Sequence, residues 1–183
     1  MHLHTLDWSA LVALHADMPR DFPPAEIKPL ALLRRQFDAG LCTAAALCDE
    51  NGRAAYALFQ KPREGNVWLL DYLAVDATRR GQGVGSDFLR HMQALPAAAL
   101  MIEIERVDRA QTPAQHTERA RRRAFYLQNG AVPTGVFTRA DGGVEFEILC
   151  LPLKHRVTGT TAADAMRRLY ETLFTPDMYA IEL

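Results

Sequence analysis

The stretch Val75-Asp76-Ala77-Thr78-Arg79-Arg80-Gly81-Gln82-Gly83-Val84-Gly85-Ser86 decides how this chain is read. It follows an apolar run over 67–75 that reads as a buried strand, and it opens a segment of helical period over 83–95. A strand, a glycine-rich turn and a helix start make an anion site. Several backbone N–H groups point one way there, and the helix dipole adds positive character. Glycine allows positive φ and lets a ligand approach with no side chain in the way. A ligand carrying phosphates is the expected guest. The bland alternative is a turn that only tightens strand-to-helix packing.

The spacing fails two familiar phosphate patterns. The ATPase loop ends in Gly-Lys-Ser/Thr, and Gly85-Ser86 has no lysine before the hydroxyl. The dinucleotide pattern G-x-G-x-x-G places its third glycine one position later than Gly85. The segment Arg80-Gly81-Gln82-Gly83-Val84-Gly85 instead resembles the Q/R-x-x-G-x-G/A signature of the GCN5-related N-acetyltransferases, whose members bind the pyrophosphate of coenzyme A in this loop. A second patch, Ala124-Phe125-Tyr126-Leu127-Gln128-Asn129-Gly130-Ala131, resembles the family's F-Y-x-x-x-G-F segment, with alanine in place of the final aromatic.

Composition fits an ordinary globular protein. The 183 residues suffice for one domain with a good core, and 49% are hydrophobic against 23% charged. A formal net charge of −1 supplies no basic field for nucleic acid or an anionic membrane. No apolar run reaches the roughly 18 residues of a membrane helix. The start of the chain has no basic segment followed by an apolar core, so no signal peptide is read there. Cys42, Cys48 and Cys150, odd in number and not closely paired, point to free thiols and a reducing, cytoplasmic setting. No Cys/His pair has ligand spacing, so no metal is expected.

Asp7 is placed to cap a helix over 8–18. A second helix is expected over 25–39, with Pro29 in its first turns and Gly40 ending it. Apolar runs over 41–48 and 53–60 flank Asn51-Gly52, a hairpin signal. Strands are expected over 67–75 and 100–105, a polar loop over 106–117, and a helix over 118–128 stopped by Asn129-Gly130. A last antiparallel pair, 132–139 and 144–153, turns around Asp141-Gly142-Gly143. Thr161-Ala162-Ala163-Asp164 reads as a variant capping box for a tail helix with Met166, Leu169, Tyr170, Leu173 and Phe174 on one face. The fold class is α/β: a mixed, mostly antiparallel central sheet with helices on both faces. Residues 1–183 are expected to form a single acetyltransferase-like domain, with the tail, 154–183, packed on it.

The resemblance covers about 7–153 and implies an acetyltransferase fold with acetyl-CoA as co-substrate and no metal. Family members lay the pantetheine arm along the strand before the loop, which splays from its neighbour. Carried over, the arm meets Leu73, Ala74 and Val75, and backbone donors of Arg80, Gly81, Gln82, Gly83, Val84, Gly85 and Ser86 hold the pyrophosphate. Tyr126 matches the tyrosine that protonates the departing thiolate, a role suited to a phenol near pKa 10. A base for the incoming amine is sought among Glu103, Asp71 and Glu105, with Glu103 first. Glu103 and Glu105 share one strand face, and Arg121, Arg122 and Arg123 are candidate partners for them. Many members carry an asparagine a few residues before the tyrosine helix. Here the polar loop intervenes and Arg119 or Arg122 falls near that register, which makes the loop a candidate for the acceptor pocket.

The function expected is N-acetyl transfer to a small-molecule or peptide amine by direct attack in a ternary complex. The alternative is a catalytically silent acyl-CoA-binding module, with an ATP- or NAD-binding protein disfavoured by the failed spacings. No nucleic acid or membrane partner is expected. Homodimerisation is common in this fold, with the tail helix or final hairpin as the surface for it.

Overall fold

The computed structural model describes residues 1–140, 143–173 and 179–183. The expected turn residues Asp141 and Gly142, and Phe174 of the tail face, lie outside them. The described residues form five α-helices and eight strands in a mixed, mostly antiparallel sheet. The chain divides into two compact units: Met1–Lys61 with Asp71–Gln93, and Pro62–Leu70 with Ala94–Leu183.

The first unit holds β1 (His2–Thr5), α1 (Trp8–Asp17), α2 (Leu30–Asp38), β2 (Cys42–Asp49), β3 (Gly52–Gln60), the second half of β4 (Val67–Val75) and α3 (Val84–His91). Strand order is β1-β2-β3-β4. Asp7 caps α1 as expected, its side chain accepting from the Ala10 N–H at 2.9 Å. The second helix starts later than its apolar pattern, because Pro29 is extended at ψ 138° and only Leu30 onward is helical. The β2–β3 hairpin pairs Asp49 with Gly52, and Gly52 takes φ +102°. The face toward α1 and α2 buries Leu11, Leu14, Leu33, Leu58, Tyr72 and Ala74 together. At eight residues α3 is too short to stand alone. Its buried Phe88 and Leu89, each contributing about 2 kcal/mol on transfer from water, secure it.

The second unit takes β4 at its first half, then β5 (Ala99–Glu105), α4 (Pro113–Gln128), β6 (Val132–Ala140), β7 (Glu145–Pro152), α5 (Gly159–Leu173) and β8 (Tyr179–Glu182). Strand order is β4-β5-β7-β6-β8. The parallel ladder of β4 with β5 covers Val67–Leu69 against Ala99–Met101, and Leu73, Ala74 and Val75 follow beyond it. Helix α5 buries Ala162, Ala163, Met166, Leu169 and Tyr170 against Leu69, Met101, Val136 and Ile148.

Three expectations are corrected here. The polar stretch 106–117 is not one loop: α4 begins at Pro113, whose missing N–H costs nothing in a first turn, and Thr112 caps it by accepting from the Gln115 N–H. Helix α5 starts at Gly159, ahead of the supposed capping box, so Thr161 is already helical. Strand β8 was not expected at all. Its four residues are too few to show a period, and pairing with β6 over Phe137–Ala140 makes it a strand.

Candidate active site

The loop is built by its own side chains. Asp76 accepts from the Thr78 N–H at 2.8 Å and from its hydroxyl at 2.5 Å, closing the turn after β4. These bonds hold the Asp76 carboxyl below its usual range. Arg79 donates to Asp49 at 2.6 Å. Arg80 folds back, donating from Nε to the Val75 carbonyl at 3.0 Å and from Nη2 to Asp21 at 2.8 Å. Gln82 donates to the Thr78 carbonyl at 2.9 Å. Both long side chains therefore turn toward the preceding backbone and leave the loop's amide side clear.

Gly81 and Gly83 take φ +77° and +82°, and a Cβ at either would meet nothing within 4 Å. Turn glycines elsewhere, such as Gly40 and Gly130, share that combination; what sets the loop apart is that Arg80 and Gln82 are turned back and the first turn of α3 follows. Gly85 needs no positive φ and sits within α3. The first bond of α3 runs from the Asp87 N–H to the Gly83 carbonyl at 3.0 Å. The amides of Val84, Gly85 and Ser86 thus lie in the first turn, where helical acceptors are lacking. Beside them on β4, Ala74 is buried in the core while Leu73 and Val75 are half-buried.

Asp71 lies on the half-buried face of β4 with Leu73 and Val75, while Tyr72 and Ala74 are buried on the other, as alternation predicts. Lys28 spans the two faces. Its Nζ donates to Asp71 Oδ2 at 2.5 Å and lies 5.7 Å from the centre of the Tyr72 ring. The Lys28 N–H donates to the Tyr72 hydroxyl at 3.0 Å. Gln60 also donates to Asp71 Oδ2, at 3.0 Å, and to Gln36 at 3.2 Å. Among the described residues the buried Oε1 of Gln60 has no hydrogen-bond partner. The same carboxylate and the burial itself push the Cys42 thiol up to about 11. Sequence reasoning missed Lys28, Gln36 and Gln60. A glutamine closing an apolar strand was the available signal.

In the second unit Glu103 takes its hydrogen bonds from two hydroxyls. Tyr170 of α5 donates to it closely, Thr138 of β6 donates at 3.4 Å, and Tyr170 also bonds Thr138 at 2.9 Å. Burial, with Glu103 beside it, raises the Tyr170 phenol far above its ordinary value. Arginine pairing falls differently from expectation. Arg119 holds Glu105 at 2.7 Å, Arg122 holds Glu118 at 3.1 Å, and Arg123 grips Glu147 through two bonds of 2.7 and 3.0 Å. Arg119 lies on the part of α4 that reaches the end of β5, and Arg122 and Arg123 meet other carboxylates. A depression of about 250 Å³ is lined there by Glu105, Arg109, Gln111, Arg119, Val144 and Glu145.

Tyr126 lies on the last turns of α4, 8% exposed, its ring edge-on to Phe125 at 5.1 Å. Gly130 at φ +92° ends the segment, and the Ala131 N–H returns to the Tyr126 carbonyl at 3.0 Å. Ala131 is itself buried, so the small side chain fits where the family pattern has an aromatic. Among the described residues the Tyr126 hydroxyl makes no hydrogen bond. Burial pushes the phenol up to about 12, opposed by Arg122. The phenol is therefore a weaker acid than its ordinary value implies, and it stays fully protonated at neutral pH.

Among the described residues no group of three or more His, Cys, Asp or Glu could hold a metal ion, and no helix is long and apolar enough to cross a membrane. The three cysteines are free thiols.

Solved structures share this fold at low identity. A protein described as an acetyltransferase of the GNAT family from Bacteroides thetaiotaomicron superposes with a TM-score of 0.73 at 16% identity, covering 94% of this chain and 97% of its own. An aminoglycoside 6'-N-acetyltransferase complexed with coenzyme A gives 0.62 at 18%, covering 85% and 99%. A GNAT-like decarboxylase in complex with isobutyryl-CoA gives 0.60 at 18%, covering 84% and 100%. No curated protein sequence matches the chain. The model of the acetyltransferase (GNAT) family matches residues 8–130, from α1 through the glycine loop to the glycine after Tyr126, and the chain belongs to that family.

Proposed function

We propose that this protein moves an acetyl group from acetyl-CoA to a primary amine, both bound at once, with the amine attacking the thioester carbonyl directly. The observation that carries the reading is the loop. Two glycines at positive φ open onto free space, the side chains of Arg80 and Gln82 are turned back, and the first amides of α3 follow. A pyrophosphate suits such a cluster of amide donors. The arm would run along Leu73, Ala74 and Val75, and an N–H of Ala74 or Val75 would steady the oxyanion.

Tyr126 is the acid in this reading, a protonated phenol with an uncommitted hydroxyl. For the base, first place passes from Glu103 to Asp71. Each accepts two hydrogen bonds on one oxygen, Glu103 from Tyr170 and Thr138 and Asp71 from Lys28 and Gln60, and Asp71 is preferred because it lies on β4 two residues before Leu73, along which the arm would run. The acceptor is a small-molecule or peptide amine.

Thermal stability is measured with acetyl-CoA, ATP and NADH. A ligand at about 100 times its dissociation constant adds about 2.7 kcal/mol. Stabilisation by acetyl-CoA alone supports the reading, and an equal shift with ATP or NADH defeats it. A panel of amines, with thioester loss followed also in their absence, then separates transfer from a silent acyl-CoA-binding module.

A further inference from the structure

The fold sets one of its own primary amines on the carboxylate named above as base. The chain has three lysines, Lys28, Lys61 and Lys154. Lys28 and Asp71 form an ion pair whose side chains are only 17% and 13% exposed. The backbone of Lys28 is pinned on both sides. Its carbonyl bonds His15 at 2.9 Å, its N–H donates to the Tyr72 hydroxyl, and that hydroxyl donates to the Glu26 carbonyl at 2.6 Å. The side chain is thereby aimed at β4, two residues before Leu73, roughly 7 Å along the strand.

We propose that Lys28 is an internal acyl acceptor, acetylated by the protein itself when no competing amine is present. The inference rests on the acetyl-CoA reading above. In the reaction the Lys28 ammonium gives one proton to Asp71, and the freed lone pair attacks the thioester carbonyl. The C–N bond forms and the C–S bond breaks. A second nitrogen proton ends on the departing sulfur, so coenzyme A leaves as the thiol. Asp71 passes the first proton to solvent, and the amide nitrogen keeps one hydrogen. The site already offers an acceptor for that remaining N–H. Nζ and the Gln60 amide both donate to the same Asp71 oxygen, so Gln60 sits beside the amine, and its buried Oε1 has no partner among the described residues.

The test is peptide mass mapping of the purified protein after incubation with acetyl-CoA alone. The expected result is one acetyl group on Lys28, none on Lys61 or Lys154, and no product in Lys28→Arg. Asp71→Asn should slow the labelling roughly a hundredfold, with acetyl-CoA thermal stabilisation showing that this variant is folded. An added primary amine that is acetylated should suppress the labelling in proportion to its turnover. Lys28 left unmodified by a protein that acetylates added amines would overturn this inference and leave the function standing. Equal labelling of all three lysines would also overturn it, as plain chemical acylation. Absence of stabilisation by acetyl-CoA would bring down the function reading and this inference together.

Discussion

Replacing Gly83 by alanine separates the loop's shape from its occupancy. Gly83 sits at φ +82° as the cap of α3, and a Cβ there would touch nothing within 4 Å. No clash arises, so the fold loses only backbone strain, about 1–2 kcal/mol for an L residue in the left-handed region. Losing glycine's freedom in the unfolded chain returns about 0.4–1 kcal/mol. The net loss is about 0–1.6 kcal/mol, a fall in Tm of at most roughly 6 °C for a chain of this size. Gly40→Ala supplies the control, because Gly40 follows α2 at φ +71° with equally open space. Both variants should lose similar stability in urea titration. Calorimetric titration with acetyl-CoA should then part them, Gly40→Ala binding as wild type and Gly83→Ala at least tenfold more weakly, about 1.4 kcal/mol. The open space at Gly83 is the space assigned to the pyrophosphate. Wild-type affinity in Gly83→Ala, with the stability loss present, would refute that assignment.

Tyr126→Phe should lower turnover roughly a hundredfold with acetyl-CoA affinity unchanged, and steady-state kinetics with a binding titration checks it. Unchanged turnover removes the assigned acid role. Burial raises this phenol from 10.0 to about 12, so its deprotonation is easier in the unfolded chain. The stability linked to that shift is whole below pH 10 and drains away as pH rises toward 12. In denaturant titrations wild type should therefore lose stability relative to Tyr126→Phe across that window, and a constant difference would contradict the burial. Tyr170→Phe removes the hydroxyl that bonds both Glu103 and Thr138, and should cost about 1–3 kcal/mol in urea unfolding. Glu103→Gln, which keeps a carbonyl acceptor, should cost less; the reverse order would mean that Tyr170 does not anchor this carboxylate.

Local chemistry made most of the loop legible in advance. Gly81 and Gly83 announce positive φ by lacking a Cβ, Asp7 announces a cap, and apolar runs around Asn51-Gly52 announce β2 and β3. Tyr126 was legible through the pattern that ends in Gly130. The residues around the two carboxylates were not, because each bond spans many positions. Lys28 meets Asp71 from 43 residues away, and Tyr170 meets Glu103 from 67. The arginine partners were misassigned for a related reason. Arg119 meets Glu105 from 14 positions away and Arg123 meets Glu147 from 24, and spacing within α4 does not say which arginine faces which strand.

The sequence by itself determined the element order as far as α5, the glycine loop after β4 and the tyrosine of α4, since each depends on backbone preferences and periodicity within a few residues. Tertiary structure alone decided what Asp71 and Glu103 face, and that β8 is a strand. Those features arise where distant segments compete to satisfy buried polar groups, and no local propensity encodes the winner.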